Sequence, residues 1–576
     1  MTMPKQLLAL TTALVLSSAC AVAAEPRQVV VKGKRDPSTI VIKGVRDPSG
    51  WFRIETPHLV VYSDHDPDQA IELVENLERL DHVLRLYMKP FLAAAAEPRK
   101  FTLYFQRGKF WPSELDAERK SIVGTRSSCV AATQAFSVDI GRIYKLDNAH
   151  LLKADADFTL ATSMSMYALN FLERHTDIRG PHWFLEGFSA YFGGAMFTDD
   201  RMRIGAAAGS SYLQLKAVDG GSTHYLSFDD VLHSRLPKGA WADYLTWHSD
   251  RVAYETRWEF VGRSFNLVHY MLSTADNRDK MAQYLERVDN GADPAAAFSA
   301  LFGLSGQGID ATMSRYRETR MKILAVNVPE LPKPPISLTH LSRIEGEFVL
   351  DDAATKSCPS LDNGRKLLAR LTSAAAKVPA VRFAQLALSR AQVEWGDPRD
   401  AIPYLERAAG RDDGDDPEIH YLLGLAHLKL ATNAANAAED RESLLAAARA
   451  DLAQAAALAP GAPEIAYARF RTALLADDAP SRDDVALAID AWRYGHDVVA
   501  FARAAALAHA WLGDTAGAYR AFNTLVRNER DSGDAAWAAR WLVSLERGVT
   551  RDALLAAMRA ERPTSPAYRL RMVDNR

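Results

Sequence analysis

Cysteine is scarce: three residues in a chain of 576. That excludes a disulfide scaffold and any Cys-rich zinc module. A charge of one sign is missing too, because 69 Lys and Arg nearly balance 72 Asp and Glu, for a net charge of −3. The basic footprint expected of a nucleic-acid-binding protein is therefore absent, and no nucleic-acid partner is expected. No apolar run approaches the ~18–20 residues that a membrane-spanning helix needs. What is present is ordinary globular composition, 48% hydrophobic and 24% charged. The length suggests roughly three or four domains.

The N-terminus has the order of a secretory signal. Lys5 gives a short positive region, Leu7 to Leu16 an apolar one, and Ala21, Ala23 and Ala24 a small-residue cleavage site. Residues 1–24 are expected to be removed, giving a periplasmic or secreted protein. Ser17-Ser18-Ala19-Cys20 lacks the leucine of a lipoprotein box, so lipid anchoring at Cys20 is not expected. Cleavage leaves Cys129 and Cys358. Two isolated core thiols is the simpler expectation; a bridge in an oxidising compartment is the alternative, and would join separate domains.

Residues 25–50 hold a short tandem repeat. Lys32-Gly33-Lys34-Arg35-Asp36-Pro37-Ser38 returns as Lys43-Gly44-Val45-Arg46-Asp47-Pro48-Ser49. Each copy follows a β-branched run, which predicts two short, exposed edge strands with Asp-Pro turns. From Trp51 the pattern is α/β. Residues 52–62 read as strand-turn-strand, 66–94 as a helix with Ala70, Leu73, Val74, Leu77, Leu80 and Leu84 on one face, and 101–105 as a strand. Helices are expected to dominate from Asp155 to Ile323. Four prolines between Pro329 and Pro335 exclude a helix or central strand there, and 327–361 reads as an extended linker.

From 362 to 576 the chain is alanine-rich and helical. Ala401, Leu405 and Ala408 follow Gly396-Asp397, and Ala518, Phe522 and Leu525 follow Gly513-Asp514 at the same offset. Ala448, Leu452, Ala455 and Pro460 continue the pattern. These segments resemble degenerate tetratricopeptide repeats, with the family's Trp and Tyr positions mostly substituted; a generic helical bundle is the alternative. The resemblance implies a scaffold that binds a protein or peptide. The run Asp412-Asp413-Gly414-Asp415-Asp416 lacks the alternating ligand spacing of a calcium loop and reads as a solvated connection.

The chemistry-bearing stretch is Leu160 to Gly194. Its second half, Trp183-Phe184-Leu185-Glu186-Gly187-Phe188-Ser189-Ala190-Tyr191-Phe192, resembles the glutamate helix of gluzincin zinc peptidases, and residues 51–326 resemble bacterial peptidase-MA-like domains. In that family H-E-x-x-H puts two imidazoles on one helix face and a Glu on the next helix completes the zinc site. Counting back 18 residues from Glu186 places the motif on Ser163-Met164-Ser165-Met166-Tyr167. Ser163 and Tyr167 then stand where the two His belong, and Met164 where the catalytic base belongs. Met164 cannot accept a proton, and a single carboxylate does not hold zinc, so neither a metal cofactor nor catalysis is expected.

The resemblance thus implies an α+β zincin-like N-terminal domain with an emptied site, followed by an all-α tetratricopeptide-like array. Glu186 is expected to accept a hydrogen bond from Tyr167 or Ser163, or from water. The competing reading is a hydrolase with a rebuilt metal site made of His175, His182 and Glu186. No two of the 15 histidines are four residues apart, so a displaced H-x-x-x-H is excluded. The G-x-S-x-G, Walker A and C-x-x-C patterns are missing as well.

Overall fold

The computed structural model describes residues 28–29, 40–45, 47–93, 98–107, 124–139, 158–198, 200–205, 226–236, 251–318, 321, 323–327, 331, 333–410, 415–432, 438–476, 478–526 and 532–561. The signal segment 1–24 with Cys20, the first repeat copy at 32–38 and residues 412–414 of the acidic run lie outside the described residues.

The strands are β1 (Gln28–Val29), β2 (Ile40–Lys43), β3 (Pro48–Glu55), β4 (Leu59–Ser63), β5 (Phe101–Arg107), β6 (Gly124–Ser128), β7 (Thr133–Asp139), β8 (Met196–Phe197), β9 (Arg201–Ile204), β10 (Leu324–Asn327) and β11 (Ile336–Ser342). Eight of them form one mixed sheet in the order β1-β2-β11-β3-β4-β5-β7-β6, and β10-β9-β8 form a small antiparallel one. In β3 and β4 burial alternates as the sequence predicts: Phe52, Ile54, Leu59 and Val61 point into the core. Helix α1 (Pro67–Tyr87) crosses over from β4 to its parallel neighbour β5. It starts cleanly because the Asp66 side chain accepts from the amides of Asp68 and Gln69, and Pro67 occupies the first turn.

Helices α2 (Phe158–His175), α3 (His182–Gly193), α4 (Phe228–Leu232), α5 (Arg251–Leu272), α6 (Ala275–Asp289), α7 (Pro294–Phe302) and α8 (Gln307–Glu318) follow. Helix α3 packs on both α2 and α5. Two glycines permit the close approach: a Cβ at Gly193 would overlap the Ser165 side chain of α2, and one at Gly187 the Ser264 carbonyl of α5. Trp183, Phe184, Phe188 and Phe192 of α3 are fully buried in the main core.

The expected linker at 327–361 is corrected over its second half. Directly after the prolines, Ile336, Leu338 and Leu341 resume an apolar alternation and are buried. β11 runs parallel to β2 and antiparallel to β3, inside the sheet. β2 is therefore not an exposed edge strand; β1 lies outside it. Helix α9 (Arg343–Thr355) follows β11, with a capping box between Ser342 and Glu345. The prolines separate β10 of the small sheet from β11 of the large one.

The expectation of two isolated thiols is also corrected. Cys129 and Cys358 form a disulfide, with Cα atoms 6.1 Å apart across 229 residues of sequence. The β6–β7 turn lies against the end of α9, where Gln134 Nε2 donates to the Ala353 carbonyl (2.6 Å) and to Ser357 Oγ (2.9 Å).

The rest is helical: α10 (Leu361–Ala375), α11 (Arg382–Trp395), α12 (Ile402–Ala409), α13 (Pro417–Ala431), α14 (Ala438–Leu458), α15 (Pro463–Leu475), α16 (Arg482–Tyr494), α17 (Val499–Leu512), α18 (Thr515–Val526), α19 (Ser532–Glu546) and α20 (Arg551–Ala560). Consecutive helices pack together, α13 with α14, α15 with α16 and α17 with α18. Of the alanine pattern, Ala401, Leu405, Ala408, Ala448, Leu452, Ala455, Ala518, Phe522 and Leu525 are buried, and Pro460 is exposed. Among the described residues no helix is long and apolar enough to cross a membrane.

The two halves share polar contacts. Lys356 Nζ pairs with Asp352 (2.9 Å) and reaches Glu418 (3.3 Å), which also accepts from Arg390 (2.9 Å). Burial would raise the Glu418 pKa; the Lys356 and Arg390 charges outweigh it and hold the carboxyl well below its ordinary value. Arg99 bonds Glu464, and Arg174 pairs with the fully buried Asp497 at 3.3 Å.

Candidate functional site

The site where the family resemblance would place zinc is built on α2, α3 and α5. Ser163 is fully buried and donates to Ser137 Oγ at 3.2 Å. Met164 is fully buried in apolar surroundings. Tyr167 packs edge-on against Phe101 and donates to Asp81 Oδ1 at 2.7 Å. None of these hydroxyls is directed at Glu186, so the expected Tyr167 or Ser163 hydrogen bond is corrected.

Glu186 instead meets a cation. Its Oε1 accepts from Arg257 Nη2 at 2.6 Å, and His182 Nε2 stands 3.2 Å away, one turn back on α3. The side chains of Glu186 and Arg257 are each only 6% exposed, so this is a buried pair in which the guanidinium supplies the counter-charge. Arg257 also lies over the Phe260 ring, 5.8 Å from its centroid, and His182 stacks parallel to that ring at 6.1 Å. Of the rebuilt metal set, His182 and Glu186 are together. His175, at the end of α2, stacks on Phe171 with ring centroids 4.7 Å apart.

Among the described residues, the three side chains whose ligand atoms cluster as a metal site requires are His58, Glu78 and Asp81. His58 Nδ1 lies 2.7 Å from Glu78 Oε2 and 3.4 Å from Asp81 Oδ2. The carboxylates have other work. Glu78 Oε1 accepts from the His58 amide (3.0 Å) and from the Thr56 hydroxyl, and Asp81 is held by Arg85 Nε (2.6 Å) and by Tyr167. The cluster ties the β3–β4 turn to α1 and α2.

Its electrostatics match. Burial would lower the His58 pKa, but the Glu78 hydrogen bond and the Asp81 charge prevail and raise it. Burial would raise that of Glu78, and bonding to His58 and Thr56 outweighs this and lowers it. Tyr167 is pushed well above its ordinary value, first by burial and then by Asp81. His58 and Arg85 already serve the two carboxylates, which leaves a metal little to bind.

Two features were missed from the sequence. Glu78 and Asp81 interrupt the apolar face of α1 between Leu77 and Leu84, a signal that a polar network is buried there. Arg257 sits within RVAYETRWEFVG with no distinguishing pattern. No family model, curated protein or solved structure matches this chain.

Proposed function

We propose that this is a secreted or periplasmic protein without hydrolytic activity, which binds protein or peptide partners. In this reading the α/β half is a gluzincin-like domain whose zinc chemistry has been replaced, and the helical half is a tetratricopeptide-like scaffold. The observation that carries it is the buried Arg257–Glu186 pair. In a zinc peptidase this carboxylate would face a dication; here a guanidinium takes the same role with no Lewis acidity and no activated water. Met164 at the base position supports the same conclusion, since a thioether cannot take a proton from water.

The His182–Glu186 contact favours one alternative, a hydrolase with a rebuilt metal site. Zinc content of the purified full chain, measured beside its peptidase activity, separates the two. The proposal expects neither stoichiometric zinc nor turnover, with no change in Glu186→Ala. About one zinc per chain, lost together with activity in that variant, would overturn it.

A further inference from the structure

A cleft of about 590 Å³ lies where the α/β half meets the helical array. That volume is within the range of roughly 300–1,000 Å³ typical of small-ligand sites, which favour domain junctions. Its floor is apolar: Phe91 after α1, Ile178 in the α2–α3 connection, and Trp492 of α16. The two walls differ in charge. Helix α6 brings Glu286 and Asp289, while α16 and α18 bring Arg493 and Arg520.

Arg179 also lines the cleft, as a largely buried cation. The Arg179 guanidinium stacks over the Trp492 ring at 4.9 Å and donates to the Thr176 carbonyl at 3.1 Å. The carboxylate it bonds is Asp177, at 3.3 Å, whose side chain is 71% exposed and screened by solvent. Arg179 Nε and Trp492 Nε1 are buried without a hydrogen-bond partner. Burial drives the Arg179 pKa down to about 10, against the pull of Asp177 and Asp289.

An occupant must therefore carry an anion for one wall, a cation for the other, and an apolar body for the floor. A lone phosphate or carboxylate meets the first requirement only, and an apolar ligand the third only. The geometry points to a short free peptide held between the two halves: its terminal carboxylate toward Arg493 and Arg520, its amino end toward Glu286 and Asp289, and an apolar side chain over Trp492. This inference rests on the peptide-binding reading above and gives it a site and a ligand class.

The test is calorimetric titration of the full chain with alanyl-alanyl-alanyl-phenylalanine and with its C-terminal amide, repeated on the Arg493→Ala/Arg520→Ala double variant. The thermal midpoint of the variant is measured alongside to show that it is folded. Saturable one-to-one binding, weakened about tenfold or more both by amidation and by loss of the two arginines, is expected. No saturable binding of the free acid, or binding that neither change weakens, would overturn the inference. Either failure leaves the non-catalytic reading standing, because that reading is decided by zinc and turnover rather than by this titration.

Discussion

The helical array sets three of its acidic residues at helix starts beside arginines, whereas the α/β half buries carboxylates in the bodies of helices: Glu78 and Asp81 in α1, Glu186 in α3 and Glu259 in α5. Glu418, Glu464 and Asp534 lie in the first turns of α13, α15 and α19, each beside an arginine: Arg390, Arg99 and Arg503. The unsatisfied amides of a helix N-terminus help to carry such a charge. Glu186 sits beyond the first turn of α3, with Arg257 and His182 against it. The array's acidic residues share their charge with helix termini; the Glu186 carboxylate meets the Arg257 guanidinium in the body of its helix.

The contrast predicts unequal costs. Arg257→Met should lose about 3–5 kcal/mol in denaturant unfolding, because it strands a buried carboxylate. A loss below about 1 kcal/mol would mean that Glu186 does not depend on Arg257. Removing the bridge that ties the halves, by Cys129→Ala with Cys358→Ala, should cost about 2–4 kcal/mol on the same assay. Arg503→Met should cost less than Arg257→Met, about 1–3 kcal/mol, since Asp534 keeps its helix terminus. If the two arginine variants were equal, the helix-start distinction would fail.

The smallest effect concerns pH. The His58 pKa is raised, so its stabilisation is present below the ordinary value of 6.5 and is lost as pH rises through the folded value. The Glu78 pKa is lowered, so its stabilisation is present above the ordinary 4.5 and is lost as pH falls through the folded value. The stability gap between the native chain and His58→Ala should therefore be widest between about pH 5 and 6 and shrink toward pH 8. A gap that widens above pH 7 would contradict the imidazolium assignment.

The sequence made local periodicity legible. The alternation in β3 and β4, the apolar face of α1 and the alanine contacts of the array all follow from side chains that repeat every two or every three to four positions. It did not reveal partners far along the chain. β11 lies between β2 and β3 although some 280 residues separate it from them, and its seven residues directly follow a proline run that by itself reads as a linker. The Cys129–Cys358 bridge was hidden for the same reason. At the candidate site the arginine that answers Glu186 comes from α5, whose pattern is that of any buried helix.

The central claim is that the Arg257 guanidinium is the counter-charge of Glu186. A double-mutant cycle with Arg257→Met and Glu186→Gln tests it most directly. The account predicts that the double variant is more stable than Arg257→Met alone, by about 1–3 kcal/mol, because it no longer buries a carboxylate deprived of its guanidinium. Losses that simply add, within about 0.5 kcal/mol, would contradict it.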